Sequence, residues 1–156
     1  PQYSALWRVI ETEVVPLSIA EGIGQIVWSP MAQGVLTGKY LPGKKPPAGS
    51  RATDKKSGAD MISRWMRDDV LTAVQKLTPI AKNVDLTMGQ LAIAWVLQNK
   101  NVASAIVGAT RPEQLDDNVK AANIVLEPAI MAEINTVLDG IVVSNPRKTE
   151  SPKTRF

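Results

Sequence analysis

Two short strand-like segments, each followed by a turn and then a helix, constrain the fold of this chain more than any other feature. Residues 25–28 end at Ser29-Pro30, and the mostly apolar residues 103–107 end at Gly108. Strands that alternate with helices are typical of α/β folds with a parallel sheet. A largely apolar strand also indicates that both of its faces are covered.

Helical patterns account for most of the remaining chain. They predict helices at about 10–21 with a break at Pro16, at 68–83, from a capping box at Thr87 to about 98, from Pro112 to about 122, and from Pro128 to about 138. Residues 37–60 predict a long loop, and loops of this length are usually functional or disordered. Two or three strands cannot close a sheet, so we expect partner strands from another chain or from the rest of a larger protein.

The composition excludes several kinds of chemistry. The 156 residues include no histidine and no cysteine, so the sequence offers no thiolate nucleophile and no Ser-His triad, and we predict no metal site. The lack of cysteine fits a reducing cytoplasmic setting. No apolar run is long enough for membrane insertion. The net charge is +3, but no aromatic residues interleave with the basic ones, and we expect no nucleic-acid partner.

The turn after the first strand is one candidate site, because α/β proteins bind ligands at the carboxyl ends of their strands. Ser29 offers a hydroxyl, and residues 31–34 can present successive backbone N–H groups to an anion. Lys39 and Arg51 add positive charge. Together these groups could hold a pyrophosphate. The alternative is an ordinary turn in which Gly34 serves only the bend.

The turn after the second strand is the other candidate. Gly108 lets a ligand approach the backbone, while Thr110 and Arg111 lie at a predicted helix N-terminus, where an anion is favoured. Arginine adds bidentate phosphate geometry. One face of that helix carries polar groups able to reach a base: Gln114, Asp117 and Asn118. The alternative is a capped helix with a solvated face. A ligand with a pyrophosphate and a separate phosphate, such as NADPH, would join the two sites.

The two segments together resemble the aldo-keto reductases, and most closely the branch with the potassium-channel β subunits and many bacterial reductases. The matching motifs are Trp28-Ser29-Pro30-Met31 with Gly34 and Gly38-Lys39-Tyr40, and Gly108-Ala109-Thr110-Arg111 with Gln114-Leu115 and Asp117-Asn118. The resemblance implies an α/β fold, the C-terminal half of a (β/α)8 TIM barrel with parallel strands and outer helices. Residues 1–140 would carry the NADPH site, and residues 141–156 would form a basic C-terminal tail.

The resemblance also implies a role for each cofactor contact. Tyr3 would stack on the nicotinamide. The ribose and pyrophosphate would lie along Trp28, Ser29, Pro30, Met31, Gln33 and Gly34, and the phosphates would be clamped by Lys39 and Arg51. The 2′-phosphate would be held by Gly108, Thr110, Arg111 and Gln114, and the adenine would contact Asp117 and Asn118. Two positions depart from the family pattern. Asp117 stands where a glutamate is usual and is one methylene shorter, and Met31 replaces a leucine of similar volume.

The family's catalytic tyrosine, aspartate, lysine and histidine come from the first half of the barrel, so we nominate no catalytic residue here. Our leading hypothesis is one part of an NADPH-dependent reductase of aldehydes or ketones, completed by the N-terminal half of the same barrel. A second hypothesis is a non-catalytic nucleotide-binding or channel-subunit-like regulatory module. A third is a half-barrel that pairs with another copy of itself, because open sheet edges favour association.

Overall fold

The computed structural model describes residues 1–56 and 58–148. It contains two strands, β1 (Gln25–Trp28) and β2 (Val102–Ile106). The α-helices of the described residues are α1 (Val14–Ala20), α2 (Gly58–Ile62), α3 (Asp68–Asn83), α4 (Met88–Leu97), α5 (Pro112–Val119) and α6 (Pro128–Leu138). Short 3-10 helices lie at Val9–Glu11, Ala32–Thr37, Arg51–Thr53, Ser63–Trp65, Lys120–Asn123 and Pro146–Lys148.

β1 and β2 pair in parallel, with Val27 opposite Ala105, which confirms the predicted strand arrangement. The first residues of the chain lie along the other edge of β1. The Trp28 N–H donates to the carbonyl of Pro1 at 3.0 Å, and the Tyr3 N–H donates to the carbonyl of Trp28 at 3.1 Å. The carboxyl ends of all three segments therefore point to the same edge of the sheet, which is the edge where α/β proteins bind ligands.

The two faces of the sheet differ in burial. Val27 is fully buried on the face that packs against the helices, whereas Ile26 is 60% exposed and Ile106 is 57% exposed on the opposite face. The prediction that the second strand is covered on both faces is therefore wrong for the described residues. None of the described segments lies over the face that carries Ile26 and Ile106.

The hydrophobic core lies between the sheet and helices α3, α4 and α6. Helix α4 is buried on nearly every side, as its uniformly apolar sequence predicts, and α3 packs against α6. The predicted capping box is present: the Thr87 side chain accepts from the Gln90 N–H, and the Gln90 side chain accepts from the Thr87 N–H. These two bonds fix where α4 begins.

Three boundaries differ from the sequence prediction. Pro16 does not break its helix, because α1 begins at Val14 and proline in a first turn costs no intrahelical hydrogen bond. Helix α5 ends at Val119 and continues as the 3-10 helix Lys120–Asn123. The predicted loop at 37–60 contains the 3-10 helix Arg51–Thr53 and the start of α2.

Residues just beyond the predicted boundary at 140 are hydrogen-bonded to the first segment of the chain. The Val143 N–H donates to the Leu6 carbonyl at 2.9 Å, and the Arg8 N–H donates to the Val143 carbonyl at 2.8 Å. Arg147 is exposed, and the basic residues Lys153 and Arg155 lie outside the described residues.

Among the described helices none alone is long and apolar enough to cross a membrane; only 112–123 and 128–138, bent by 119°, pass that length and composition test as a pair.

Candidate functional site

A groove of about 940 Å³ runs along the carboxyl ends of the strands, from the turn after β1 to the turn after β2. The predicted contacts that line it are Trp28, Ser29, Pro30, Met31, Gln33, Gly34, Lys39, Arg51, Gly108, Thr110, Gln114, Asp117 and Asn118. Tyr3 and Arg111 are absent from its lining. Lys39 and Thr110, which belong to different candidate segments, thus face one groove.

The turn after β1 has an unusual backbone. Ser29, Ala32 and Gln33 adopt positive φ angles of 57°, 47° and 61°, and Gly34 follows at 94°. Non-glycine residues adopt this left-handed region rarely, and such residues cluster at functional sites. These φ angles could not be predicted from the sequence, because alanine and glutamine favour other conformations.

The side chain of Gln33 ties the turn to the long loop. Its Nε2 donates to Ser29 Oγ at 2.5 Å, and its Oε1 accepts from Arg51 Nη1 at 2.6 Å. A single amide therefore links the hydroxyl and the guanidinium that the sequence places 22 residues apart. The arrangement holds Arg51 at the groove.

Lys39 approaches the same turn from the other side. Its Nζ lies 3.4 Å from the point where a Cβ on Gly34 would stand, so the ammonium is directly beside the turn. Gln75 of α3 donates to the carbonyls on either side of Lys39, at 2.9 Å to Gly38 and 3.0 Å to Tyr40. Within the described residues neither Lys39 nor Arg51 has a carboxylate partner, so both charges are available to an anion.

The turn after β2 is built differently. Gln114 Oε1 accepts from the Thr110 N–H at 2.8 Å and from Thr110 Oγ1 at 3.1 Å, so a residue of α5 folds back over the helix start. Arg111 occupies the N-cap position without a side-chain capping bond, and Pro112 follows at the first helical position. The Arg111 side chain is exposed and forms no hydrogen bond or ion pair with a described residue, while its backbone carbonyl accepts from the Gln114 N–H at 3.1 Å. Its side chain stands beside the groove without lining it.

Asp117 is not free in the way that the family pattern implies. Its Oδ1 accepts from Gln90 Nε2 at 2.8 Å, and its Oδ2 accepts a longer bond from Thr87 Oγ1 at 3.4 Å. Lys120 Nζ stands 3.9 Å from Oδ1. The carboxylate is thus directed toward the start of α4, while Asn118, the next residue, lines the groove.

Tyr3 does not reach the groove. Its side chain is 3% exposed, its ring packs 5.4 Å from Trp95, and its hydroxyl donates to Glu11 Oε1 at 2.7 Å and accepts from Asn99 Nδ2 at 3.3 Å. Desolvation by burial raises the pKa of this hydroxyl well above its ordinary value. The implied stacking of Tyr3 on a nicotinamide is therefore not compatible with the structure, since the ring has no open face.

Trp28, unlike Tyr3, has a side chain that is open to the groove. It is 41% exposed and lines the groove at the end of β1. Its place on the open face of the strand, in register with Ile106, could have been read from the alternation of side chains along β1. Sequence reasoning also missed residues 87–89 as part of the groove wall, because the capping box at Thr87 accounted for them fully.

Comparison with known proteins identifies the class. The family model "Aldo/keto reductase family" matches residues 1–139, and the chain belongs to that family. It is 41% identical over 154 residues to a probable voltage-gated potassium channel subunit beta of Arabidopsis thaliana, covering 97% of this chain and 45% of the relative. It is 34% identical over 139 residues to the uncharacterized oxidoreductase YrpG of Bacillus subtilis, covering 89% of this chain and 39% of the relative.

A solved structure supports the same fold. The glycerol dehydrogenase of Gluconobacter oxydans superposes with a TM-score of 0.70 at 20% identity, over 100% of this chain and 45% of that one. At that identity the likeness establishes the fold alone, and it confirms the predicted α/β half-barrel with parallel strands. The chain spans less than half the length of the relatives that it matches.

Proposed function

We propose that this chain is the cofactor-binding half of an NADPH-dependent oxidoreductase that reduces aldehydes or ketones to alcohols. The observation that carries the proposal is the single groove joining Lys39 and Arg51 to the N-terminus of α5. Two separate sites for anionic groups along one groove match a dinucleotide with a pyrophosphate and a further phosphate. The groove volume is near the upper end of the usual range for ligand sites.

The residues around the groove support the binding of both phosphate-bearing parts of NADPH. The Ser29–Gly34 turn, Lys39 and Arg51 would hold the pyrophosphate, in a place where the charges have no carboxylate partner among the described residues. Thr110, Arg111 and Gln114 would hold the 2′-phosphate at the helix N-terminus, where the backbone dipole favours an anion. In place of Tyr3, the exposed indole of Trp28 would stack on the nicotinamide.

The chemistry would be shared between cofactor and protein. Bound NADPH supplies a hydride for the carbonyl carbon, and an acid must protonate the oxygen. Residues of this chain would bind and orient the cofactor, and we assign the proton to none of them. The part that donates it would be the N-terminal half of the same barrel, and the small-molecule carbonyl would lie between the two halves.

Exposed apolar side chains on α1 and α5 support the proposal that another protein segment packs against this chain. Exposed large hydrophobic side chains lie on two helices, Leu17 and Ile19 on α1 and Leu115 and Val119 on α5. Exposed apolar surface of this kind marks contact sites. We place the first-half helices of the barrel against these side chains. The alternative occupant is a second copy of the chain, and sedimentation of the protein separates the two: a stable homodimer of about 34 kDa, twice the chain mass, would favour self-association.

A regulatory role is the second candidate function, because the Arabidopsis relative is named as a potassium channel subunit. In that case the groove would bind NADPH without turnover. The chain, combined with the N-terminal half of the barrel that would supply the proton, would be incubated with NADPH and a reactive aromatic aldehyde while absorbance at the nicotinamide band is followed. Sustained oxidation argues for the enzyme, and tight binding without oxidation argues for the module.

Cofactor titration tests the proposal directly. NADPH and NADH would be added separately to the protein, with Trp fluorescence as the readout because Trp28 lines the groove. We expect NADPH to bind at least about tenfold more tightly, the effect of one charge-assisted contact to the 2′-phosphate. The proposal fails if neither nucleotide binds.

A further inference from the structure

Helix α5 carries the adenine end of the proposed site, yet it is weakly attached to the rest of the protein. None of its eight residues is buried. The following 3-10 helix is anchored by Ala121, which is fully buried and packs near α4. This contact lies at the end of α5 that is remote from its N-terminus. Something else must hold the part of α5 that borders the groove.

Gln90 of α4 provides that attachment. Within the described residues, every hydrogen bond that joins α5 to an earlier element ends on Asp117. Gln90 Nε2 forms two of these bonds, to the Asp117 carbonyl at 3.1 Å and to its Oδ1 at 2.8 Å. The third comes from Thr87, which is the N-cap residue of α4.

Both the oxygen and the nitrogen of the Gln90 side-chain amide are hydrogen-bonded. Gln90 is 6% exposed, and its Oε1 accepts from the Thr87 N–H at 2.9 Å while its Nε2 serves Asp117. A buried amide that satisfies one helix start and one neighbouring helix at once fixes their relative positions. Thr87 and Asp117, the two partners of Gln90, both line the groove.

We propose that Gln90 is a positioning residue for the nucleotide, and that Asp117 acts through Gln90 rather than as a contact to the base. The pair holds α5 so that Thr110, Gln114 and Asn118 face the groove. The inference deepens the proposed function and rests on it. It assigns a role to a residue outside the predicted cofactor contacts and changes the role of one within them.

The substitution Gln90→Glu separates the two duties of the side chain. Glutamate keeps the acceptor that the Thr87 N–H needs, and it is the usual partner in a capping box. It removes the donor to Asp117 and places two carboxylates together, which repel. The double variant Gln90→Glu with Asp117→Asn restores a donor–acceptor pair with the roles exchanged.

Two fragments of the cofactor probe the two ends of the groove separately. 2′,5′-ADP would occupy the α5 end, and inorganic pyrophosphate would occupy the turn after β1. For Gln90→Glu we expect binding of 2′,5′-ADP to weaken about tenfold, the effect of losing one charge-assisted bond. Binding of pyrophosphate should change less than about twofold, because the described hydrogen bonds of the Gln90 side chain go to Thr87 and Asp117 and not to Ser29, Lys39 or Arg51.

Rescue decides between the two roles of Asp117. If Asp117 acts through Gln90, the double variant binds 2′,5′-ADP within about twofold of the parent protein, and Asp117→Asn alone stays close to it because the asparagine oxygen still accepts from Gln90. If Asp117 contacts the base, both variants stay weak and the inference is overturned. Unchanged 2′,5′-ADP binding in Gln90→Glu would also overturn it. Should pyrophosphate and 2′,5′-ADP both fail to bind the parent protein, the proposed function falls, and this inference falls with it.

A misfolded variant would not imitate the expected result. Loss of the fold would reduce pyrophosphate and 2′,5′-ADP binding together, whereas displacement of α5 affects only the second. Gln90→Met, which has a similar volume but no donor and only a weak sulfur acceptor, serves as the matched comparison. It loses the capping bond as well, so we expect it to be less stable to heat than Gln90→Glu, while its 2′,5′-ADP binding falls by a comparable factor and its pyrophosphate binding persists. Full retention of 2′,5′-ADP binding in Gln90→Met would overturn the inference.

Discussion

The two ends of the groove are built in opposite ways. The turn after β1 is organised in advance: Gln33 bonds both Ser29 and Arg51, and Gln75 holds the backbone on either side of Lys39. The turn after β2 is open, with the Arg111 side chain exposed and without a partner among the described residues. A pre-organised end gives affinity because little freedom is lost on binding, and an open end leaves its arginine to recognise one group. We therefore expect the first end to set affinity and the second to set the choice between NADPH and NADH.

The largest effect should come from Lys39→Ala. It removes an unpaired ammonium beside the pyrophosphate, a loss of about 2 kcal/mol or roughly thirtyfold in affinity. Since both nucleotides carry the pyrophosphate, NADPH and NADH should weaken by the same factor. Fluorescence titration measures both, and Lys76→Ala, an exposed lysine on α3, is the matched control. A loss confined to NADPH would contradict the division between the two ends.

Arg111→Ala should show the complementary pattern. We expect NADPH to bind about tenfold more weakly, because one charge-assisted contact to the 2′-phosphate is lost, and NADH to bind as before. The same titration applies, with Arg147→Ala as the control since Arg147 is also exposed. Equal weakening of both nucleotides would place Arg111 on the pyrophosphate and refute its role in selecting the cofactor.

Gln33→Asn tests whether pre-organisation itself contributes. Asparagine tolerates the positive φ at this position, but it is one methylene too short to bond Ser29 and Arg51 together. We expect about fivefold weaker binding of either nucleotide, near the value of one neutral hydrogen bond. If the double variant with Arg51→Ala is no weaker than Arg51→Ala alone, the glutamine acts through Arg51. Additive losses would mean that the two residues act independently.

The sequence predicted much of this architecture because its signals were local. The strand at 25–28, the capping box at Thr87 and helices α3 and α6 depend on residues close together in the chain. The groove walls followed from the rule that turns after parallel strands bind ligands. Tyr3 was misplaced because its burial depends on Trp95 and on Asn99, which is 96 residues away. The bond between Gln90 and Asp117 also joins separate helices, so no pattern within either helix predicts it.

The smallest effect on binding should come from Tyr3→Phe, which tests the correction at that residue. Because the ring is buried against Trp95 and away from the groove, NADPH affinity should stay within about twofold of the parent value. Stability should fall by about 1 kcal/mol at neutral pH, since the hydroxyl no longer bonds Glu11 and Asn99. Thermal unfolding measures the stability change.

The contribution of the Tyr3 hydroxyl to the free energy of unfolding should decrease at high pH. Burial raises the pKa of the Tyr3 hydroxyl in the folded protein, so its contribution is complete below the unfolded pKa of about 10 and is lost as pH rises above it. The parent protein should therefore lose stability more steeply than Tyr3→Phe between pH 9 and pH 11, and the difference between their melting temperatures should narrow with rising pH. Parallel curves would mean that the hydroxyl titrates normally. A large loss of NADPH binding in Tyr3→Phe would return Tyr3 to the cofactor and remove Trp28 from the stack.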